Sequence, residues 1–438
     1  MGRRTLVAGV AVAAVCGGTS GAGSAVAAAA PAQVFVPFAD GFVAAGAPRA
    51  NHGRARALRL QARPSSRAYL RFRVGRLRGA VVSSRLRVFA VGRGTVEVRA
   101  AARRYWNERS LTYRTAPRLG RVVASGPARP GWNSFEVGSL VVGPGTVDLA
   151  LVARRGTVSV ASRETGSSPT LSVETAPVLL AAGDVGSCNS GGDEATAALL
   201  GGVPATVAAL GDLAYPKGTA DEFASCYDPS WGRFRPSTRP AAGNHDYATP
   251  GAAAYFDYFG AAAGLRGAGY YSYDLGSWHV VVLNSNCRFV ACGAGSLQET
   301  WLRHDLAEHR APCTLAYFHH PLFSSTAGTA TPAVRPLWQA LYDAGADVVL
   351  GGHAHNYQRF APQTPSGAAD PARGIREFVV GTGGNSLRFV GPPIANQETA
   401  DDTTYGVLRL TLLDAGYRWS FVPVAGGAFD DSGAATCH

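Results

Sequence analysis

Gly351-Gly352-His353-Ala354-His355-Asn356-Tyr357-Gln358-Arg359 follows a short apolar run, Asp347-Val348-Val349-Leu350. Such a run forms a buried strand, and the glycine pair lets the backbone turn sharply where it ends. On an extended segment His353 and His355 would point to opposite sides. They meet at one centre if the backbone kinks, or else they serve two adjacent centres. Four earlier apolar runs also give onto oxygen and nitrogen donors: Gly183-Asp184-Val185-Gly186, Gly211-Asp212-Leu213-Ala214-Tyr215, Gly243-Asn244-His245-Asp246 and Phe318-His319-His320-Pro321. In open α/β sheets, ligands bind beyond the carboxyl ends of the strands, where all five segments fall. Carboxylate and amide oxygens mixed with imidazoles suit Zn, Fe or Mn, and two such ions about 3.5–4 Å apart clamp a phosphoryl group and ionise a water.

Around these segments, strands alternate with helices from Val178 onward. The pattern predicts strands at 178–182, 206–210, 314–318, 347–350 and 377–380, and helices at 194–200, 255–259, 297–309 and 334–344. Hairpins follow at 270–275 with 278–284, and at 405–413 with 417–424. Alternation with late hairpins implies a layered α/β sandwich with mixed sheets. Residues 33 to 175 differ. Short alternating runs such as Ala68-Tyr69-Leu70-Arg71-Phe72-Arg73-Val74, punctuated by Gly, Pro and Asn, imply an all-β sandwich with one wet face. Thr175-Ala176-Pro177 is the expected junction, so the expected domains are 33–175 and 176–438.

Residues 1–30 read as a secretory signal peptide: Arg3 and Arg4, an apolar run from Leu6 to Val15, and an Ala-rich end near Ala30. The run is too short to span a bilayer, and no later segment resembles a transmembrane helix. The expected location is therefore extracellular. Cys16 follows Val15, a poor residue to precede a lipidated cysteine, so a lipoprotein is excluded. Beyond the signal six cysteines remain, an even set in an exported chain, for which disulfides are the default. The expected pairs are Cys287 with Cys292, which bracket a loop, Cys188 with Cys226, which follow strand ends on one side of the sheet, and Cys313 with Cys437 at the other side. Cys as metal ligands lacks any Cys-x-x-Cys spacing.

The formal charge of +11 conceals an asymmetry. Residues 31–175 carry 24 Arg against 7 Asp plus Glu, while from 176 onward 15 Lys plus Arg face 23 acids. A compositional bias towards Arg would enrich both halves. A cationic front and an acidic back imply an anionic partner for the front, such as an anionic polysaccharide or wall polymer.

Trp106-Asn107-Glu108-Arg109-Ser110-Leu111-Thr112-Tyr113, Ala161-Ser162-Arg163-Glu164, Leu58-Arg59-Leu60 and Tyr69-Leu70-Arg71-Phe72 together resemble the DNRLRE-type carbohydrate-binding modules of secreted bacterial proteins. The resemblance covers most of residues 33–175. It leaves two readings, a binding module and a β-sandwich that only spaces the enzyme.

Gly-Asp-x-Gly at Asp184, Gly-Asp-x-x-Tyr at Asp212 and Tyr215, Gly-Asn-His, His-x-Pro and Gly-His-x-His-x-Tyr-x-Arg resemble the calcineurin-like metallophosphoesterases, closest to the purple acid phosphatase branch, over residues 178 to about 425. The resemblance implies an α/β/β/α fold and a secreted dinuclear-metal phosphatase hydrolysing phosphate monoesters by metal-hydroxide attack. Asp184, Tyr215 and His355 would hold the first metal, Asn244, His319 and His353 the second, and Asp212 would bridge them. His319 fits better than His320 because the family's ligand lies two residues before the Pro. A tyrosinate favours Fe(III), with Zn, Mn or Fe(II) beside it. His245 would be the general acid, with Asp246 either orienting it or lying exposed in a turn, and His320 would flank the substrate. Asn356, Tyr357 and Arg359 would line the pocket or support its loop, and Gly381-Thr382-Gly383-Gly384-Asn385 resembles a glycine-rich loop facing the same site. The chain departs from the branch between Leu322 and Trp338, where a further His is usual and none occurs. That departure keeps a phosphodiesterase or nucleotidase open beside the monoesterase. A wall- or polysaccharide-binding protein with an inactive metal domain is disfavoured by the complete donor set.

Overall fold

The computed structural model describes residues 31–102 and 105–438. The signal peptide expected at 1–30 lies outside the described residues. Strands between Gln33 and Ala176 form one nine-stranded sheet in which every pairing is antiparallel. Two strands are much longer than the sequence runs imply, Ala80–Ala101 and Gly145–Ala161. Ala80–Ala101 pairs with Thr170–Ala176 and Gly131–Glu136 along its first half, then with Gly145–Ala161 and Leu119–Ala128. The change of partners falls at Ala90, and a register shift follows between Thr95 and Val96 within the pairing to Gly145–Ala161; irregularities of that kind let a strand bend from one layer into another. The enclosed core includes Leu58, Leu70, Phe72, Leu86, Val98, Leu149 and Val160.

After Pro177 the chain builds two mixed sheets. The first orders its strands as Thr238–Ala241, Thr206–Leu210, Val178–Ala182, Gly406–Leu413, Gly416–Pro423 and Ser432–Thr436, with the first three mutually parallel. The second runs Tyr271–Leu275, Trp278–Val282, Cys313–Tyr317, Val348–Gly351, Arg376–Val380, Tyr357–Phe360 and Gln397–Asp401, with a parallel centre. Alternate residues of the second sheet go to opposite sides. Val280, Val282, Leu315, Tyr317, Val348 and Leu350 join the core shared with the first sheet. Val281, Leu283, Ala316, Phe318 and Val349 pack instead with Leu302, Leu337 and Leu341, which lie on helices Leu297–Glu308 and Arg335–Asp343. Both faces are covered, which is why these strands read as unbroken apolar runs rather than alternating ones. Helices Gly192–Leu200 and Ala253–Phe259 add Leu200, Tyr255, Phe256 and Phe259 to the shared core. The layers are helix, sheet, sheet, helix, with the parallel strands of both sheets ending together.

Candidate metal centre

The donors emerge at fixed distances from those strand ends. Asp184, Asp212, His319 and His353 each sit two residues past a parallel strand, and Asn244 three residues past one. Among the described residues six non-glycines have positive φ, and four of them are here: Asp184 (59°), Asp212 (52°), His353 (67°) and His355 (53°). Such backbone costs about 1–3 kcal/mol per residue and persists only where its surroundings enforce it. The enforcement is visible. Asp184 N–H donates to the Gly211 carbonyl (3.0 Å), Gly352 N–H to the His319 carbonyl (2.8 Å), and His353 N–H to Asp184 Oδ2 (2.7 Å). The crowding also explains a glycine, since a Cβ on Gly243 would lie 2.1 Å from Asp212 Oδ1.

Two buried carboxylates form the middle. Tyr215 Oη lies 2.8 Å from Asp184 Oδ1, 3.1 Å from Asp212 Oδ2 and 3.1 Å from His355 Nε2. His319 Nε2 lies 3.2 Å from Asp212 Oδ2, from Asn244 Oδ1 and from His353 Nδ1. The two histidines of the opening motif therefore part: His355 faces Asp184 and Tyr215, while His353 faces His319. The kinked backbone and the two adjacent points occur together. The far nitrogens are tied down, His319 Nδ1 to the Leu210 carbonyl and His355 Nδ1 to the Ser386 carbonyl, each at 2.8 Å. Each such bond fixes the tautomer that turns Nε2 inward, the usual arrangement behind a ligating imidazole.

This donor set fits a pair of cations. Burial works against ionised Asp184 and Asp212, yet neighbouring imidazoles hold both carboxyls below their usual range. Burial opposes protonation of His319, but Asp212 and Asp184 raise it to about 9. Burial and the same carboxylates push the Tyr215 phenol well up. Two fully buried anions here thus demand positive charge, and the nearest donors carry protons to supply it.

His245 sits at the rim with its side chain 31% exposed, its ring 4.5 Å from that of Tyr215 and its Nδ1 2.6 Å from the Pro216 carbonyl. Its Nε2 lies 3.9 Å from Asp212 Oδ2. His320 lies beside the donors, 4.5 Å between its ring and that of His353, with Nδ1 2.8 Å from Ser285 Oγ. Burial and the adjacent imidazoles push its pKa down to about 2, so it is neutral.

Three expectations need correction, and a fourth, for Asn356, resolves to support of the loop. Asp246 neither orients His245 nor lies exposed. It is fully buried and accepts the N–H groups of Asp212, Leu213 and Gly243 at 3.1, 3.1 and 2.8 Å. Asn356 is buried and donates to Thr326 Oγ1 (2.6 Å) and the Arg388 carbonyl (3.1 Å), bracing the loop. Tyr357 and Arg359 lie on the strand Tyr357–Phe360 and bind Asp431, through Tyr357 Oη at 2.6 Å and Arg359 Nε at 2.8 Å. None of these last three is placed to line a substrate pocket, because each is tied to a partner in the interior. The Gly381–Asn385 loop does close on the site: Asn385 N–H donates to the Asp184 carbonyl (2.8 Å), and a Cβ on Gly381 would sit 2.8 Å from Asp184 Oδ2. Sequence reasoning missed the roles of Leu210, Ser285 and Ser386, two of which act through backbone carbonyls that carry no side-chain signal.

The disulfides are Cys188–Cys226, Cys287–Cys292 and Cys313–Cys437. Cys188 lies four residues past Asp184, so its bridge anchors that loop to the segment Phe223–Tyr227.

Residues 177–357 match the family model for calcineurin-like phosphoesterases, and residues 31–175 match carbohydrate-binding module family 96. The chain therefore carries a calcineurin-like phosphoesterase domain behind a family 96 module. Its relatives within that superfamily are purple acid phosphatases. Purple acid phosphatase 21 of Arabidopsis thaliana is 32% identical over 155 residues, covering 33% of this chain and 34% of the relative. Purple acid phosphatase 15 of the same plant is 26% identical over 261 residues, 50% of this chain and 47% of the relative. A further Arabidopsis relative, 28% identical over 138 residues, is named probable inactive purple acid phosphatase 9. The chain spans about a third to a half of the length of the first two of these relatives and 21% of the third. Among solved structures, purple acid phosphatase PPD1 from yellow lupin seeds shares the fold, with a TM-score of 0.50 at 17% identity over 87% of this chain and 74% of that one.

Proposed function

We propose that the chain is a secreted, metal-dependent phosphatase acting on phosphate monoesters of small molecules through a dinuclear centre. Asp184, Tyr215 and His355 would hold one ion, Asn244, His319 and His353 the other, with Asp212 shared between them. This donor set, with a tyrosine among carboxylates and imidazoles, would take Fe(III) with Zn, Mn or Fe(II). The observation that carries the reading is the convergence of these seven side chains at strand ends, with Tyr215 Oη between two fully buried carboxylates. Such a pair supplies Lewis-acid charge neutralisation and a water ionised near neutral pH. The chain's own residues do the rest. Strained backbone and carbonyl-tethered imidazoles hold the donors in place before substrate arrives. His245, exposed at the rim with Nδ1 tied to Pro216, presents Nε2 to a leaving-group oxygen and donates its proton there. Neutral His320 faces the donor cluster from beside Ser285 and contacts a phosphoryl oxygen without adding charge.

A phosphodiesterase or nucleotidase is the second reading, favoured by the absence of a further His between Leu322 and Trp338. Hydrolysis of p-nitrophenyl phosphate against bis(p-nitrophenyl) phosphate decides between them. Faster monoester turnover, lost in Asp212→Ala, is expected; faster diester turnover establishes the second reading, and neither activity in the metal-loaded protein overturns both. The N-terminal module, with its 24 Arg, places the enzyme on an anionic polysaccharide or wall polymer.

A further inference from the structure

The two motifs of the front module, around Glu108 and Arg163-Glu164, meet at one point with a residue outside either motif. Asp40, on the strand Pro37–Ala44, is completely buried. Carboxylate oxygens of Asp40, Glu108 and Glu164 lie within 4.8 Å of one another. Glu108 Oε1 accepts from Asp40 N–H (3.0 Å) and from Arg163 Nη1 (2.8 Å), Arg163 N–H donates to Asp40 Oδ2 (2.7 Å), and Ser162 Oγ donates to Glu164 Oε2 (2.7 Å). Asp40 Oδ1 has no hydrogen-bond partner at all among the described residues.

That orphan oxygen needs an explanation, because a buried polar atom without a partner costs about 1–3 kcal/mol and more when charged. Cations are abundant here, with 24 Arg against 7 acids in residues 31–175, yet three of the seven acids converge on this point. Among the described residues Arg163 is the cation paired with them, 2.8 Å from Glu108 and 3.9 Å from Glu164. Three carboxylates against one guanidinium leave two negative charges. Burial first, with Glu164 and Glu108 adding, pushes the Asp40 carboxyl up to about 7 against the pull of the Arg163 N–H.

We propose that Asp40, Glu108 and Glu164 form a binding site for a hard divalent cation of the calcium class, separate from the phosphoesterase centre. The donors are all oxygen, which disfavours zinc and its nitrogen and sulfur preferences. Their irregular placement on a strand, a loop and a turn suits the flexible coordination of Ca²⁺ better than the near-ideal octahedron that Mg²⁺ demands. A divalent ion cancels the two uncompensated charges and gives Asp40 Oδ1 its partner. It also ties the strand Pro37–Ala44 to the segment that buries Trp106 and Leu111 over Val43 and Tyr69.

The test uses the full chain, stripped of metal and dialysed against millimolar CaCl₂ alone. Asp212→Ala, impaired at the phosphoesterase centre, is expected to bind one Ca²⁺ per chain with a rise of several degrees in the first thermal transition, reversed by EGTA. Asp40→Asn, near-isosteric and uncharged, is expected to lose both. Glu164→Gln, at a side chain 28% exposed and near-isosteric with the original, should weaken calcium binding at least tenfold. The proposal is overturned if Asp212→Ala binds no calcium. It is also overturned if Asp40→Asn keeps the EGTA-reversible shift, or if Glu164→Gln binds as tightly as the parent; a proton shared within the cluster predicts those results instead. Because phosphatase turnover is not read, failure here leaves the proposed catalytic function untouched.

Discussion

Replacing Asp246 with Asn or Ala separates support of the centre from catalysis at it. The Asp246 carboxylate receives three backbone N–H groups from the two strand-end turns that carry Asp212 and Asn244. Burial and the Asp212 charge push its carboxyl up to about 7, against the pull of the N–H groups it accepts, which favour the ionised form. In Asp246→Asn the amide oxygen keeps the bonds from Asp212 and Gly243, and the NH₂ then confronts the Leu213 N–H. One buried donor left unpaired costs about 1–3 kcal/mol. In Asp246→Ala all three lose their acceptor, and relaxation of the turns limits the expected loss to about 3–5 kcal/mol, the scale for breaking a buried network. Support residues of this kind typically cost 10–100-fold in metal affinity or activity, roughly as much for a residue that touches no ion. Urea unfolding of the metal-free chain measures the first effect, and metal titration of the folded variant the second. Equal stability of Asp246→Ala and the parent would refute the pinning role. Full activity in a destabilised Asp246→Asn would show that the turns hold their geometry without it.

Tyr215→Phe keeps the ring against His245 and His355 but removes Oη from between Asp184 and Asp212; the protein should fold, bind one ion weakly and lose any visible charge-transfer band, read by metal analysis and absorption. Cys313–Cys437 closes a span of 124 residues and Cys287–Cys292 one of 5, so by chain entropy the paired Cys→Ser variants should lose about 5 and about 2 kcal/mol respectively in urea unfolding. His279 lies between Asp274 (3.0 Å) and Asp305 (2.9 Å). Burial opposes its charge, but these carboxylates raise its pKa above 6.5, while Asp305 itself is lowered below 3.8. The raised histidine contributes fully below 6.5 and fades as pH climbs through its folded value; the lowered carboxylate contributes above 3.8 and fades as pH falls through its own. Stability from this cluster is therefore greatest between 3.8 and 6.5, and His279→Gln should flatten the decline on the alkaline side.

The centre was readable because Asp184, Asp212, His319 and His353 each follow a run that is apolar on both faces, and such runs announce buried parallel strands. Val178–Ala182, Thr206–Leu210 and the strand before His319 fall within a residue of their expected limits. Thr238–Ala241 was not assigned, since Thr-Arg-Pro-Ala offers neither period nor apolar run and is held by pairing with Val207–Leu210. Tyr357–Phe360 was hidden for a related reason. It follows the histidine turn directly, so Tyr357 and Arg359 read as pocket residues, whereas pairing with Arg376–Val380 and Gln397–Asp401 turns them to Asp431. Asp246 looked like a turn residue because sequence shows the His-Asp pair but not the three N–H groups that surround the carboxylate. In the front module, local runs indicated strands, but not that Ala80–Ala101 continues through a register shift as one 22-residue strand.

The central claim is the pair of ions held by seven side chains, and transition-metal content measured together with phosphate-ester turnover tests it most directly. The full chain should hold two transition-metal ions, calcium counted separately, and hydrolyse p-nitrophenyl phosphate, while Asp212→Ala should hold no more than one and hydrolyse none. Fewer than one transition-metal ion per chain after gentle purification, or undiminished turnover in Asp212→Ala, would contradict it.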